Sequence, residues 1–291
     1  AAPNDPLFSA QWALKNTGQN QGTAGIDINY LPAREVTQGS SDIIVAVLDH
    51  GTQLDHPDLN VSSKSYDTET GRSPSQIWGN HGTACSGIIS AKTNNNLGVA
   101  GIAPNCPVMS ISNQLMGTSD APQKRADGFN WAWRNGASVI SNSWRSSTFS
   151  ELLEDAIQSA MTNGRNGLGC VVTFSAGNYD SNTVGYPARS LPDIIVVGAL
   201  SLSGKRKSST TIDNEGWWGS DYGTQLDIMA PGVLIYTTDR TGSVGYVSGD
   251  YMPNFNGTSS ACPHVAGVAA LILSVLSLIH ISEPTRRTPI S

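Results

Sequence analysis

The chain has 291 residues, 38% hydrophobic and 14% charged, with a net charge of −6. That much apolar content supports a packed core and excludes a disordered chain. The acidic balance, with no basic stripe beyond Lys205-Arg206-Lys207, argues against nucleic acid as a partner.

The four cysteines, Cys85, Cys106, Cys170 and Cys262, lack C-x-x-C spacing and are too few for a disulfide scaffold, which leaves free thiols or one or two bridges open. The opening "AAPNDPLFSAQWALKNTGQ" has neither a basic start nor an apolar core, so a processed chain, or one lacking the front of its gene, is expected.

Residues 1–41 read as loops with a short helix near 28–36. "DIIVAVLD" (42–49) is a continuous apolar run of strand length, the pattern of a strand buried on both faces. Similar runs recur at 107–112, 137–143, 169–178, 193–200 and 225–232. Between them, 81–91, 121–136 and 150–164 fit a helical period, the last with Ser150 as N-cap and Gly164 as C′. The stretch 265–281 is short for a membrane span and contains Gly267, Ser274, Ser277 and His280, so it reads as a buried helix. Alternating strands and helices predict an α/β fold: a doubly wound, mostly parallel sheet with helices on both faces. Ligands gather beyond the carboxyl ends of such strands, where Asp49, Ser143 and Asn178 fall.

Two HGT tripeptides, at 50–52 and 81–83, offer a histidine to Asp49. His50 follows Asp49 directly, and successive side chains of a strand point to opposite faces. His81 opens a small-residue helix able to approach the sheet closely, so it is the better base. Ser259 stands at the entrance of the most apolar helix, where partial positive charge favours a developing oxyanion. Taken alone, it is also an ordinary N-cap serine.

"VLDHG", "NHGTACSGIIS", "FSAGN" and "NGTSSACPHVAG" resemble the four sequence blocks of the subtilisin-like serine proteases, in the family's order and across roughly residues 5–274. The resemblance implies a serine endopeptidase. Asp49 would orient His81, His81 would take the proton of Ser259, and Ser259 would attack the scissile carbonyl. Asn178 would donate to the oxyanion, worth on the order of 10²–10³ in turnover for this family's asparagine. Polypeptide substrates, secretion, a monomer and an N-terminal pro-segment absent from this chain are further implications; nucleic acid and membrane are not expected as partners.

The same likeness places Ser143, Trp144 and Arg145 beside the S1 pocket, with Ala176 and Gly177 on the facing segment and Gly185 at its base. Arg145 replaces a usual glycine; it would either favour an acidic P1 side chain or turn to solvent, the expected outcome for a snorkelling arginine. Asp180 would pull towards basic P1. Trp144 and "NDPLFSAQWAL" resemble the kexin branch. "HPDL" and "TNNNLGVAG" resemble the family's calcium loop, in which Asp58 and Asn95 would give side-chain oxygens. Thr93, Leu97 and Val99 would give carbonyls there, and Asp5 would close a cage for structural Ca²⁺.

The tail departs from the family, so residues 1–274 are expected to be a C-terminally truncated peptidase domain and 275–291 a non-native tail that leaves an apolar face of the serine helix exposed. A non-catalytic, or unfoldable truncated, module on the same fold is the rival reading. An α/β esterase is disfavoured because Ser259 lies in G-T-S-S-A rather than in a G-x-S-x-G elbow.

Overall fold

A computed structural model of the chain describes residues 1–279. A seven-stranded, wholly parallel sheet forms its centre, built from β1 (Ile44–Asp49), β2 (Tyr66–Asp67), β3 (Val108–Ser112), β4 (Ala137–Asn142), β5 (Val171–Ser175), β6 (Ile195–Leu200) and β7 (Ile228–Pro231). The spatial order is β2-β3-β1-β4-β5-β6-β7. A small antiparallel pair, β8 (Ile235–Thr238) and β9 (Tyr251–Phe255), stands apart.

The helices are α1 (Tyr30–Val36), α2 (His81–Ser90), α3 (Ala121–Arg134), α4 (Glu151–Gly167) and α5 (Thr258–Ile279). Strand β1 shows why the sheet needs cover on both sides. Val45 and Val47 enter one apolar cluster with residues of α2 and α5; Ala46 and Leu48 enter a second with residues of α3 and α4. A strand buried on both faces has no polar alternation to show, and this explains the unbroken run.

After β1 the chain forms the edge strand β2, comes back to lay β3 between β2 and β1, and then places β4 on the other side of β1. The carboxyl ends of β1 and β4 therefore flank a switch point, where an open α/β sheet leaves a crevice. Asp49 ends β1, and Ser143 follows β4.

Helix α5 passes a length-and-composition test for a membrane span over Thr258–Leu276. It is a core helix here: Ala261, Cys262, Ala266 and Ala270 are fully buried. Val268, Ile272 and Leu276 are exposed and form, with Val36 of α1, one wall of an apolar groove. The expected boundary after Ser274 falls inside this helix, and tail residues 280–291 lie outside the described residues.

At α4 the sequence reading divides. Ser150 caps the helix, its hydroxyl accepting from the Leu153 amide at 3.2 Å. The left-handed pair that ends the helix is Arg165-Asn166, not Gly164, whose φ is −59°. Gly164 serves a contact instead: a Cβ there would lie 2.3 Å from Cys170 Sγ. Ser150→Ala is expected to lower unfolding stability by about 1 kcal/mol, seen as a lower denaturant midpoint with unchanged slope.

Candidate active site

β1 delivers Asp49 to the crevice and α2 starts with His81. The helix reaches the strand end because Gly82 has no side chain; a Cβ there would sit 2.4 Å from the Gly51 carbonyl oxygen. His81 Nδ1 lies 2.9 Å from each Asp49 carboxylate oxygen. The carboxylate is 1% exposed and also accepts the His50 amide at 2.7 Å. The His50 ring takes no part in that contact and stands edge-on to His81, 6.0 Å between centroids. Phe255 packs on His81 at 5.4 Å.

Burial alone would push the Asp49 carboxyl up, but the His81 charge and hydrogen bond and the His50 amide outweigh it and hold it below the usual carboxylate range. For His81, burial opposes the charge; the Asp49 carboxylate overrides that and raises the imidazole well above its ordinary value. The pair holds the proton on Nδ1 and leaves Nε2 as the basic nitrogen.

Ser259 is the second residue of α5. Pro263, four residues on, has no N–H, so the Ser259 carbonyl loses its helical donor. Ser143 Oγ donates to that carbonyl at 2.9 Å, and Cys85 Sγ lies 3.5 Å from it. Cys85 Sγ also lies 3.7 Å from His81 Nδ1, so one thiol touches both the imidazole and the serine backbone. The Ser259 hydroxyl itself donates to Ser143 O at 3.3 Å. Among the described residues it makes no hydrogen bond to His81. A rotation about its χ1 would carry it away from Ser143 O, and such links are often loose before substrate arrives.

Asn178 follows β5 and is exposed. Its Oδ1 accepts the Thr258 amide and hydroxyl, both at 2.8 Å, and so caps α5 from outside. That fixes which way the amide group faces. Gly257 (φ 95°) makes the turn, and a Cβ on it would lie 3.2 Å from Asn178 Nδ2 and 3.5 Å from Ser259 N. Two donors thus border one space kept open by a glycine. The amides of Thr258, Ser260 and Ala261 all have acceptors; that of Ser259 has none among the described residues. Paired free donors at a helix N-terminus suit a developing oxyanion.

The expected pocket residues are placed unevenly. Gly185 N donates to Ala176 O at 2.8 Å, joining two of them, and Gly177 N donates to Thr258 Oγ1 at 3.1 Å. Arg145, Tyr179 and Gly185 line one open cavity of about 830 Å³. The Trp144 side chain is 7% exposed, donates to Leu48 O at 3.1 Å and packs on Phe174 and Arg125. Asp180 is paired with Arg206. Arg145 is exposed, with its guanidinium 4.4 Å from the Tyr179 ring centre.

Around residues 93–99, two buried carboxylates converge. Asp5, 4% exposed, accepts the amides of Asn94 and Asn95, and Asp58, 0% exposed, accepts Asn95 Nδ2 at 2.7 Å and the Val99 amide at 3.2 Å. Neither has a Lys or Arg partner among the described residues. Burial pushes the Asp58 carboxyl up to about 6. The carbonyl oxygens of Thr93, Leu97 and Val99 accept no hydrogen bond among the described residues. Carboxylates without a cation beside free carbonyls fit a hard divalent ion. Asn95 is the exception, since its amide must turn over to offer Oδ1.

Sequence reasoning missed Cys85, although its i+4 spacing from His81 places it on the same helix face. It also missed the roles of Gly257 and Thr258, which only the fold brings to Asn178. All four cysteines are free and buried.

A family model described as the Subtilase family matches residues 40–284. The chain belongs to the subtilase family. It is 34% identical over 304 residues to a calcium-dependent protease of Trichormus variabilis, covering 92% of this chain and 44% of the relative. It is 37% identical over 240 residues to subtilisin E of Bacillus subtilis, covering 80% and 56%. The chain thus spans about half the length of these curated relatives. A solved protease from Pseudoalteromonas arctica superposes with a TM-score of 0.73 at 28% identity, covering 94% of this chain and 87% of that one.

The raised imidazole fixes a sign. His81 works as a base only when neutral, so kcat/KM towards a peptide should fall on the acid side with a midpoint above about 6.5. Asp49→Asn should lower that midpoint and cut turnover on the order of 10⁴-fold. A pH–rate profile of both proteins checks this.

Proposed function

We propose that this chain is the peptidase domain of a serine endopeptidase, hydrolysing peptide bonds through Asp49, His81 and Ser259. The observation that carries the reading is the buried Asp49 carboxylate on His81 Nδ1 beside a helix-start serine. Ser259 Oγ attacks the carbonyl carbon as His81 Nε2 takes its proton. Asp49 steadies the imidazolium without itself being protonated. Charge grows on the carbonyl oxygen between Asn178 Nδ2 and the free Ser259 amide, stronger donors there than in water because they are fixed in advance. His81 then gives its proton to the leaving amine, and water repeats the cycle on the acyl-enzyme.

Substrate would lie extended along residues 143–146 and enter the cavity beside Gly185, by strand addition. One observation favours the rival, a non-catalytic module on the same fold: the Ser259 hydroxyl rests on Ser143 O rather than on His81. Labelling by a serine-directed fluorophosphonate separates the two. The wild type should label and Ser259→Ala should not; equal labelling would discard the endopeptidase reading.

Secretion, a monomeric state and a separate pro-segment belong to the same reading, supported by the family alone; a 1–274 domain limit has no such support, since the family match runs on to residue 284. Kexin-like character rests on Trp144 and the N-terminal segment, where Trp12 Nε1 donates to Val233 O at 2.8 Å. Structural Ca²⁺ would be held by Asp5 and Asp58, by the carbonyls of Thr93, Leu97 and Val99, and by Asn95 once its amide turns. The ion would neutralise two buried carboxylates and tie the N-terminal arm to the 93–99 loop. Chelation by EDTA should lower Tm and excess Ca²⁺ should restore it, whereas Asp58→Asn should lower Tm and abolish the response.

A further inference from the structure

Arg145 lines the substrate cavity but takes no part in the mechanism. Its side chain crosses the cavity mouth from wall to wall. A Cβ on Gly185 would lie 3.4 Å from Arg145 Cβ and 3.9 Å from its Cδ, so the stem runs over the glycine. The guanidinium ends on the Tyr179 ring, 4.4 Å from its centre, on the opposite segment.

The head group is unspent. Among the described residues Arg145 makes no ion pair and no hydrogen bond, although a guanidinium carries five donors. The nearby acid Asp180 belongs to Arg206. Of the two acids lining the cavity, Asp221 has one oxygen committed to the Tyr179 and Ser181 amides at 2.9 Å each, and its other faces Gly177. Glu154 belongs to α4, the element that shares the far wall with Arg189 and Tyr186, while Arg189 is held by Val184 O at 3.2 Å. The end of the cavity that carries Arg145, two residues along the chain from the Ser143 that holds the Ser259 carbonyl, thus presents a cation with no acid partner among the described residues.

We propose that Arg145 makes this site select a P1 side chain bearing a carboxylate, glutamate or aspartate, over neutral and basic ones. The proposal rests on the endopeptidase reading and names its substrate class. A carboxylate matches the planar fork of a guanidinium, and a charge-assisted pair there is stronger than a neutral one. The stem over Gly185 meanwhile takes space that a long apolar or aromatic P1 group would need.

The test uses two peptides differing only in Glu or Gln at P1, which have the same shape. Wild type should cleave the Glu peptide roughly 10-fold or more faster in kcat/KM. Arg145→Gln should abolish the ratio and Arg145→Lys should keep part of it. Wild type that labels with fluorophosphonate yet treats both peptides alike, or a ratio unchanged in Arg145→Gln, overturns the P1 assignment and leaves the endopeptidase reading standing. Wild type that does not label overturns both.

Discussion

The contact on which the site depends is the pairing of His81 Nδ1 with the buried Asp49 carboxylate. A carboxylate this deep is costly unless something positive and hydrogen-bonding meets it. His81 supplies that, and the His50 amide assists. The fold makes the meeting possible by ending β1 at the switch point and starting α2 close against it, where Gly82 removes the steric barrier.

The serine side follows a parallel logic of freed backbone groups. Pro263 takes the helical donor from the Ser259 carbonyl, which Ser143 and Cys85 then hold. The left-handed turn at Gly257 leaves the Ser259 amide free while Asn178 satisfies Thr258. A helix start normally hides its orphan groups in caps. Here one amide is left uncapped where an oxyanion would form, and the carbonyl is tied to the strand that flanks the cavity. The same few residues therefore position Ser259, border the open space beside its amide and join both to the end of β4.

The periphery is held differently. Asp5 draws the N-terminal arm onto the 93–99 loop through the Asn94 and Asn95 amides, and Asp58 accepts from Asn95 and Val99 of the same loop, so two buried carboxylates meet there without a Lys or Arg partner among the described residues. At the cavity mouth the opposite holds, with a cation lying on an aromatic face and no acid of its own.

The sequence alone determined the sheet, because a strand buried on both faces must be apolar throughout and such runs are visible at 42–49, 137–143 and 193–200. It also disfavoured the His50 ring as partner of Asp49, since adjacent strand residues face opposite ways. The motif blocks named Asp49, His81, Asn178 and Ser259 as one set, which spacing by itself could not. Tertiary structure decided what depends on distant segments meeting. Trp144 went to the core because its indole found Phe174 and the Leu48 carbonyl. Asp180 is paired because Arg206 reaches it across the fold. Gly257 gained its role, and Cys85 its contact with the Ser259 carbonyl, for the same reason: pairings between residues far apart in the chain leave no local periodicity to read.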